Sequence, residues 1–167
     1  MPTLQLVEEF LNTVDERTFR RHGEHHDPGE HLTSPAALSD WLAAHDLPPQ
    51  ATEADLTAAV ALRTALRGSL LGEATVLDHP LRLSSDGSGG LRLTAASGRP
   101  WLDAIIETIA ENTATGDWKR VRLCAAPDCH WAFYDTSRSG RGRWCDMAVC
   151  GNRHKTRTYR ERRHQTT

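Results

Sequence analysis

All four cysteines of the chain fall within its last 44 residues, as two close pairs: Cys124 with Cys129, and Cys145 with Cys150. Four residues separate the members of each pair, and fifteen lie between the pairs. This spacing allows four sulfur atoms to converge on one ion, and zinc favours four thiolates in a closed tetrahedral structural site. The pattern therefore predicts a small zinc-stapled module at this end of the chain, without an open coordination position.

Disulfides and free thiols are the alternatives to a zinc site. Residues 1–15 contain three acidic and no basic side chains, so they do not resemble a secretion signal. No apolar run approaches the length of a membrane span. We therefore expect a cytoplasmic protein with no membrane association, whose cysteines stay reduced and favour metal binding. Because so short a module buries little core, the ion is expected to supply folding free energy on the order of 10 kcal/mol.

The net charge of −2 hides an uneven distribution. Residues 119–167 hold twelve Lys or Arg and four Asp or Glu, whereas residues 1–118 hold eight and eighteen. An acidic body with a basic end suggests two tasks on one chain, with an anionic partner at the basic end. The alternative is a basic end that only docks on the acidic body.

The body shows helical periodicity with one stretch of alternation. Apolar residues at Leu4, Val7, Leu11 and Val14 predict a first amphipathic helix. Residues 22–31, with four histidines, predict a solvated loop, and a histidine-bound metal is the less favoured alternative. Further helices are predicted from Ser34-Pro35, from Thr52 to about Leu71, and from Pro100 to about Thr115, with a β-hairpin formed by residues 81–84 and 91–94. The predicted fold class is α+β: a mostly helical N-terminal domain with a β-hairpin, followed by the small zinc module.

The cysteines are predicted to lie on a short hairpin unit. Residues 120–123 and 130–135 alternate as strands, and residues 143–145 return towards them. This arrangement predicts a treble-clef or ribbon-like module, with Trp131, Phe133 and Trp144 forming a small core over the metal; base stacking by these rings is the alternative. His130 and His154 lie beside cysteines and are alternative ligands.

A strongly basic segment follows Cys150. It has no apolar stripe, so as a helix it would not be buried in a core. We expect a helix capped by Asn152 that lies in or across a nucleic-acid groove, with arginines on phosphates; a frayed solvated tail is the alternative. The candidate nucleic-acid contacts are Arg143, Asn152, Arg153, Lys155, Arg157, Arg160, Arg162 and Arg163.

These residues carry a specific resemblance. The strings Arg143-Trp144-Cys145-x-Met147 and Cys150-Gly151-Asn152-Arg153-x-Lys155, with the upstream cysteines, resemble the CGNR zinc-finger family over residues 122–163. Residues 10–14 and 32–42 resemble that family's usual N-terminal partner, the ABATE domain. The resemblance implies a stress-related bacterial transcription regulator, with an ABATE-like body over 1–118 that senses a small ligand and a finger over 119–167 that binds DNA. It also implies Cys124, Cys129, Cys145 and Cys150 as zinc ligands.

Two positions depart from the family's pattern. Gly142 stands where the family tends to have a second arginine before Trp-Cys, and Asp146 stands where it often has serine. An acid beside the site lowers the local positive potential, which weakens the case for DNA binding along that edge.

Several alternatives stay open. Asn12 and Thr13 form a polar pair inside an apolar helix face, so they either bond the backbone or contact a ligand. The basic helix would also serve RNA binding or docking on a protein such as RNA polymerase. No catalytic Ser-His-Asp set, inward carboxylate pair or His-Glu-x-x-His motif is visible, so we do not expect an enzyme. The oligomeric state is open, a dimer included.

Overall fold

The computed structural model describes residues 3–21, 23–25, 27–85 and 87–165. Its helices are α1 (Leu4–Leu11), α2 (Pro35–Ala44), α3 (Glu53–Leu70), α4 (Pro100–Thr115) and α5 (Asn152–Gln165). Its strands are β1 (Val14–Asp15), β2 (Arg20–Arg21), β3 (Glu24–His25), β4 (Gly29–Glu30), β5 (Leu81–Ser85), β6 (Leu91–Ala95), β7 (Val121–Leu123) and β8 (Ala132–Tyr134). The α+β class is confirmed, with five helices and paired antiparallel strands in the described residues.

The helices of the body begin and end where local chemistry predicts. The Ser34 side chain accepts a hydrogen bond from the Ala37 backbone and starts α2. Thr52 and Asp55 form a reciprocal capping box at the start of α3. Gly116 adopts a φ of 89° at the end of α4, a backbone conformation that suits glycine. Short-range sequence signals were therefore sufficient for these boundaries.

The first helix ends earlier than predicted. It stops at Leu11, and Val14 belongs instead to β1, which pairs with β4. Thr13 turns its hydroxyl back to the Phe10 carbonyl at 2.8 Å, which satisfies an acceptor at the helix end. The periodic apolar residue at position 14 therefore follows the helix without being part of it.

The segment predicted as a loop contains short strands. β2 pairs with β3, so the chain folds back on itself just after the buried Phe19. His22 and His26 lie outside the described residues, and so does any metal bound through them. Asp86, in the loop of the predicted hairpin, also lies outside the described residues.

One apolar core joins the helices of the body. It contains fully buried side chains from α1, α2, α3 and α4, among them Val7, Phe10, Leu38, Leu42, Leu66 and Ile105. Val121 of β7 and Ala132 of β8 belong to the same core. The strands that lead to the first cysteine pair are thus packed against the N-terminal helices.

Hydrogen bonds extend this contact along β8. The Asn12 amide donates to the Ala132 carbonyl at 2.9 Å and accepts from the Ala132 N–H at 2.8 Å. The Tyr134 N–H donates to the Glu8 carboxylate at 3.0 Å. Glu8 of α1 and Asn12, which directly follows that helix, therefore occupy the backbone edge of β8 as a neighbouring strand would.

In the described parts of the chain, no helix combines the length and hydrophobicity that crossing a bilayer would require.

Candidate metal centre and basic helix

The two cysteine pairs come from different local structures. Cys124 directly follows β7, and Cys129 lies in the turn before β8. The turn is closed by the Cys129 N–H, which donates to the Ala126 carbonyl at 2.9 Å, and by the Cys124 N–H, which donates to the Trp131 carbonyl at 2.9 Å. Cys145 precedes a π-helical turn, Met147–Gly151, which contains Cys150 and leads into α5. This hairpin–turn–helix order is that of a treble-clef module.

The predicted third return of the chain is not a strand. Residues 143–145 do not pair with a strand. Their backbone is held by a hydrogen bond in which the Ala125 N–H donates to the Arg143 carbonyl at 2.8 Å. Gly142 before it closes on Asp135: its N–H donates to the Asp135 carboxylate at 2.6 Å. A Cβ at position 142 would lie 2.7 Å from Asp135 Oδ1, so a second arginine would not fit without rearrangement.

The four sulfur atoms form a compact group. They all lie within 4.8 Å of one another, and three of the four cysteines are buried. Cys145 Sγ lies 3.7 Å from Cys129 Sγ and 3.9 Å from Cys150 Sγ. Zinc–sulfur bonds of about 2.3 Å in a tetrahedron give sulfur–sulfur distances of about 3.8 Å. The donor type and the spacing therefore both fit one zinc ion.

The thiols favour a cation for an electrostatic reason. Hydrogen bonds from Cys129 and Cys145 lower the pKa of the Cys124 thiol well below its usual range. The bond to Cys124 raises the pKa of both Cys129 and Cys145, and burial raises that of Cys150 to about 12. Four thiolates this close together would repel one another. A divalent ion attracts all four thiolates and offsets two of their four negative charges, so it would lower every one of these pKa values.

Aromatic side chains form the predicted small core around the sulfurs. Trp131, Phe133 and Trp144 pack against the buried cysteines, together with the buried Phe19 of the N-terminal segment. The Arg17 guanidinium lies over the Trp131 ring, 3.8 Å from its centroid, and its pKa is raised by the hydrogen bond to Asp15. The metal centre is therefore enclosed partly by residues of the body.

Both histidines beside the cysteines have other partners. His130 Nδ1 lies 2.8 Å from Glu16 Oε2, and the His154 ring lies against Trp144 with centroids 4.8 Å apart. His130 also has a positive φ of 47°, which places it at the tight end of the first turn. Neither histidine belongs to the sulfur cluster among the described residues.

The π-helical turn fixes the start of α5. Asp146 Oδ1 accepts from the Ala148 and Val149 N–H groups at 2.8 and 3.1 Å, so this acid caps the turn. The Asn152 amide donates to the Ala148 carbonyl at 3.1 Å, because the turn runs directly into α5 and leaves no N-cap position for it. The predicted cap at Asn152 was therefore wrong, and Asp146 provides the cap one turn earlier.

Arg153 braces the helix against the rest of the molecule. Its guanidinium pairs with Asp128 and stacks over Phe19, 3.7 Å from the ring centroid. It also lies 4.0 Å from Cys150 Sγ. Burial lowers the pKa of Arg153, and repulsion from Arg157 lowers it further. The helix is thus attached to the metal centre through Cys150 and to the N-terminal segment through Arg153.

The rest of α5 extends away from these contacts. Its predicted contact residues Lys155, Arg157, Arg160, Arg162 and Arg163 are all exposed, as are Asn152 and Arg143. Arg157 lies 3.9 Å from Asp128, and the Arg163 guanidinium lies 5.9 Å from the Tyr159 ring centroid. All of these predicted contact residues except Arg143, which precedes the π-helical turn, lie on α5; their contact with nucleic acid stays a prediction.

A cleft of about 750 Å³ runs beside α5. Phe19 and Arg20 of the N-terminal segment line one side, and the Arg153, Arg157 and Arg160 face of α5 lines the other. No sequence pattern pointed to Arg20, because only the folding of residues 16–21 onto the finger brings it to the cleft.

The side chains of Asn12 and Thr13 are both buried and hydrogen-bonded within the protein. Asn12 holds Ala132 as described, and Thr13 accepts from Arg63 Nη1 at 2.8 Å. The structural alternative accounts for the described bonds of both side chains, and their contact with a ligand stays a prediction.

Two buried arginines of α3 bond to distant segments of the chain, and one of them, Arg67, reaches the finger. Arg63 lies in the apolar stripe and pairs with Glu30. Arg67 donates to the Leu11 and His130 carbonyls, each at 3.1 Å, and to Glu16 Oε1 at 2.6 Å. The position of Arg63 among apolar residues of a predicted helix indicates that it is buried. Its partners could not be predicted, because they are distant in sequence.

Comparison with known proteins gives two family matches. Residues 120–163 match the CGNR zinc finger model. Residues 4–126 match the ABATE model, described as "Putative stress-induced transcription regulator". No curated protein matches the chain. With the sulfur geometry, the zinc-finger match identifies the cofactor as zinc, and both families are of regulatory or zinc-finger type rather than enzymes.

Proposed function

The chain belongs to the ABATE family, and we propose that it regulates transcription by binding duplex DNA through α5. The family matches and the sulfur geometry support a zinc-binding regulatory protein. The direct contact with DNA is our proposal. The observation that carries it is the exposed basic helix whose orientation is set by the zinc site.

The composition and attachment of α5 support this role. The helix holds six Lys or Arg and one Glu in fourteen residues, and it spans about 21 Å. Like charges at neighbouring positions destabilise such a helix in water, and phosphates would offset that cost. A major groove of about 12 Å width accepts an α-helix. The zinc site and the Arg153 brace would present the helix in one orientation, which reduces the entropy lost on binding.

The cations of α5 have different expected roles. Arg153 already pairs with Asp128 and contacts Phe19, so we assign it to positioning rather than to phosphate contact. Lys155 and Arg162 lie on one exposed face, and Arg157 and Arg160 lie along the cleft. These four are the best candidates for direct contact with DNA.

The decisive experiment is an anisotropy titration of the zinc-loaded full chain with labelled duplex DNA at several salt concentrations. Each phosphate contact contributes a slope of about −0.9 in log K against log salt. A double Arg157→Gln, Arg160→Gln variant is expected to lose about two units of slope and to bind roughly tenfold or more weakly at low salt. The matched control is Arg82→Gln, Arg92→Gln, which removes two arginines from the β5–β6 hairpin.

The same titration separates the alternatives. Unchanged zinc content and helicity in both variants would assign the difference to the side chains. Equal affinity of the α5 variant and the wild-type protein would overturn the proposal. Direct binding to labelled structured RNA or to RNA polymerase, with no binding to duplex DNA at low salt, would instead favour the RNA-binding or protein-docking alternative.

We further infer that the body senses a small ligand, in keeping with a regulatory role. A cleft of about 520 Å³ between α3 and residues 76–80 supports this. Leu62, Ala65 and Leu102 line its apolar side, and Arg99 offers a polar contact, a combination typical of small-molecule sites.

A thermal-shift screen of small metabolites tests this second inference. Ala61 is exposed and lines the cleft, so Ala61→Trp would fill the cleft without disturbing the core. A compound that stabilises the wild-type protein is expected to lose its effect in Ala61→Trp and to keep it in the exposed control Ala54→Trp. A screen without stabilising compounds, or an equal shift in both variants, would contradict this site.

A further inference from the structure

The cleft beside α5 has walls from both halves of the molecule. On one side are Phe19 and Arg20, which reach the finger because the Thr18 N–H donates to the Asp128 carbonyl at 3.2 Å. On the other side is the first half of α5. Phe19 is buried beneath the Arg153 guanidinium, so the two walls are joined at the floor of the cleft.

The charges in the cleft are mostly positive and partly neutralised. Four arginines and two carboxylates line it: Arg20, Arg153, Arg157, Arg160, Asp128 and Glu161. Asp128 is paired with Arg153 and lies 3.9 Å from Arg157. Within the described part of the chain, neither Arg20 nor Arg160 has an ion-pair partner, and Arg20 is exposed. Two arginines from distant segments of the chain, Arg20 and Arg160, are therefore available to an anion that enters the cleft.

We propose that this cleft holds the sugar–phosphate backbone of one DNA strand, and that Arg20 of the N-terminal domain contacts its phosphates opposite Arg157 and Arg160. This rests on the proposed function, because it assumes that α5 lies against duplex DNA. Half or more of the hydrogen bonds between proteins and DNA go to phosphate and sugar, and the arginines that line this cleft are donors suited to such contacts. Apolar atoms of Ala148 and Val149 also line the cleft, and they suit the sugars of a strand better than a free ion.

The consequence is that the DNA interface is composite. A change in the body that moves residues 18–20 relative to α5 would change the distance between the two arginine walls. The body would then affect DNA affinity directly, without any unfolding of the zinc module.

The test uses the zinc-loaded full chain and labelled duplex DNA, titrated between about 50 and 200 mM salt. Arg20→Gln is expected to bind roughly three- to tenfold more weakly at low salt and to lose about one unit of slope in log K against log salt. Arg20→Lys keeps the charge and is expected to keep the slope. Arg82→Gln, which removes one exposed arginine from β5, is the control and is expected to match the wild-type protein.

The outcomes separate this inference from the function on which it rests. If the wild-type protein binds duplex DNA and the α5 double variant weakens binding, but Arg20→Gln retains the wild-type slope, the composite interface is wrong and the function stands. If the wild-type protein does not bind duplex DNA, both are wrong. An equal loss in Arg20→Gln and Arg82→Gln would indicate a long-range effect of net charge and would also overturn the inference.

Discussion

Strands β5 and β6 pair over five residues each, whereas β7 and β8 pair over three, yet the shorter hairpin is the buried one. Leu83 in the longer hairpin is 61% exposed, whereas Val121 in the shorter one is 3% exposed. In both hairpins, a side chain from a helix or from the residue after it bonds to the backbone of one strand. Glu107 of α4 accepts from the Ala95 N–H at 2.9 Å, and Asn12 both donates to and accepts from the Ala132 backbone. The length of a ladder therefore does not decide how far a hairpin is integrated. Coverage by the N-terminal helices and attachment to zinc decide it.

Removal of zinc should have the largest effect, and it should unfold α5 while strand β8 of the same finger stays folded. We expect chelation, or a Cys129→Ala, Cys150→Ala variant, to melt α5, because the ion contributes on the order of 10 kcal/mol to such modules. The Ala132 and Tyr134 amides should stay protected, because Asn12 and Glu8 accept their hydrogen bonds. Hydrogen exchange with and without zinc measures both. Equally fast exchange in β8 and α5 would place the short hairpin with the metal module instead.

Asn12→Ala should produce the next largest effect. It leaves the buried N–H and carbonyl of Ala132 without partners, and we expect a loss of about 2–4 kcal/mol in the free energy of unfolding. Urea denaturation at a fixed zinc concentration provides the measurement. In the control Asn112→Ala, the lost bond to the Thr108 carbonyl lies within α4 and is partly open to water, so the expected loss is about 1 kcal/mol or less.

Glu107→Ala makes the corresponding change at the longer hairpin. Water can reach the Ala95 N–H once the carboxylate is gone, so we expect a loss of about 1 kcal/mol or less. The Ala95 amide should exchange faster while the core amides of α4 do not change. A loss as large as that in Asn12→Ala would show that the two helix-to-strand contacts are equivalent, contrary to the comparison.

The smallest effect is expected from a substitution at Leu83, on the exposed face of the β5–β6 hairpin. Leu83→Thr should change the free energy of unfolding by within about 0.5 kcal/mol, since surface substitutions seldom do more. Val121→Thr in the short hairpin is the matched change and should cost about 1–3 kcal/mol, because it buries a hydroxyl. A large, concentration-dependent loss in Leu83→Thr would indicate that another copy of the chain covers this face.

The sequence predicted those parts of the structure that depend on neighbouring residues. The caps at Ser34 and Thr52 follow from side chains that reach only three residues along the chain, and the cysteine spacing places two pairs on two turns. The bond from Asn12 to Ala132 joins residues 120 apart, and no local pattern specifies such a partner. The same holds for Arg67, whose three acceptors come from three separate segments.

The candidate site was predictable to a similar extent. Ligand type and number follow from the cysteines, and the exposed helix follows from its charge. The distinct role of Arg153 depends on Asp128 and Phe19, which only the folded chain brings together. Asp146 illustrates a further limit: its position in the sequence indicates only a charge beside the site, whereas its carboxylate caps the turn that starts α5.

Strand β7 lies within both family matches, since one begins at residue 120 and the other ends at residue 126. Its Val121 and Ala132 of β8 complete the core beneath α1. A gene fusion that carried this finger to an unrelated domain would expose both residues and would leave the edge of β8 open to pairing with other chains. Recombination is therefore expected to preserve the body and the finger as one heritable unit, and substitutions at Asn12 and at the residues around Ala132 should be selected together.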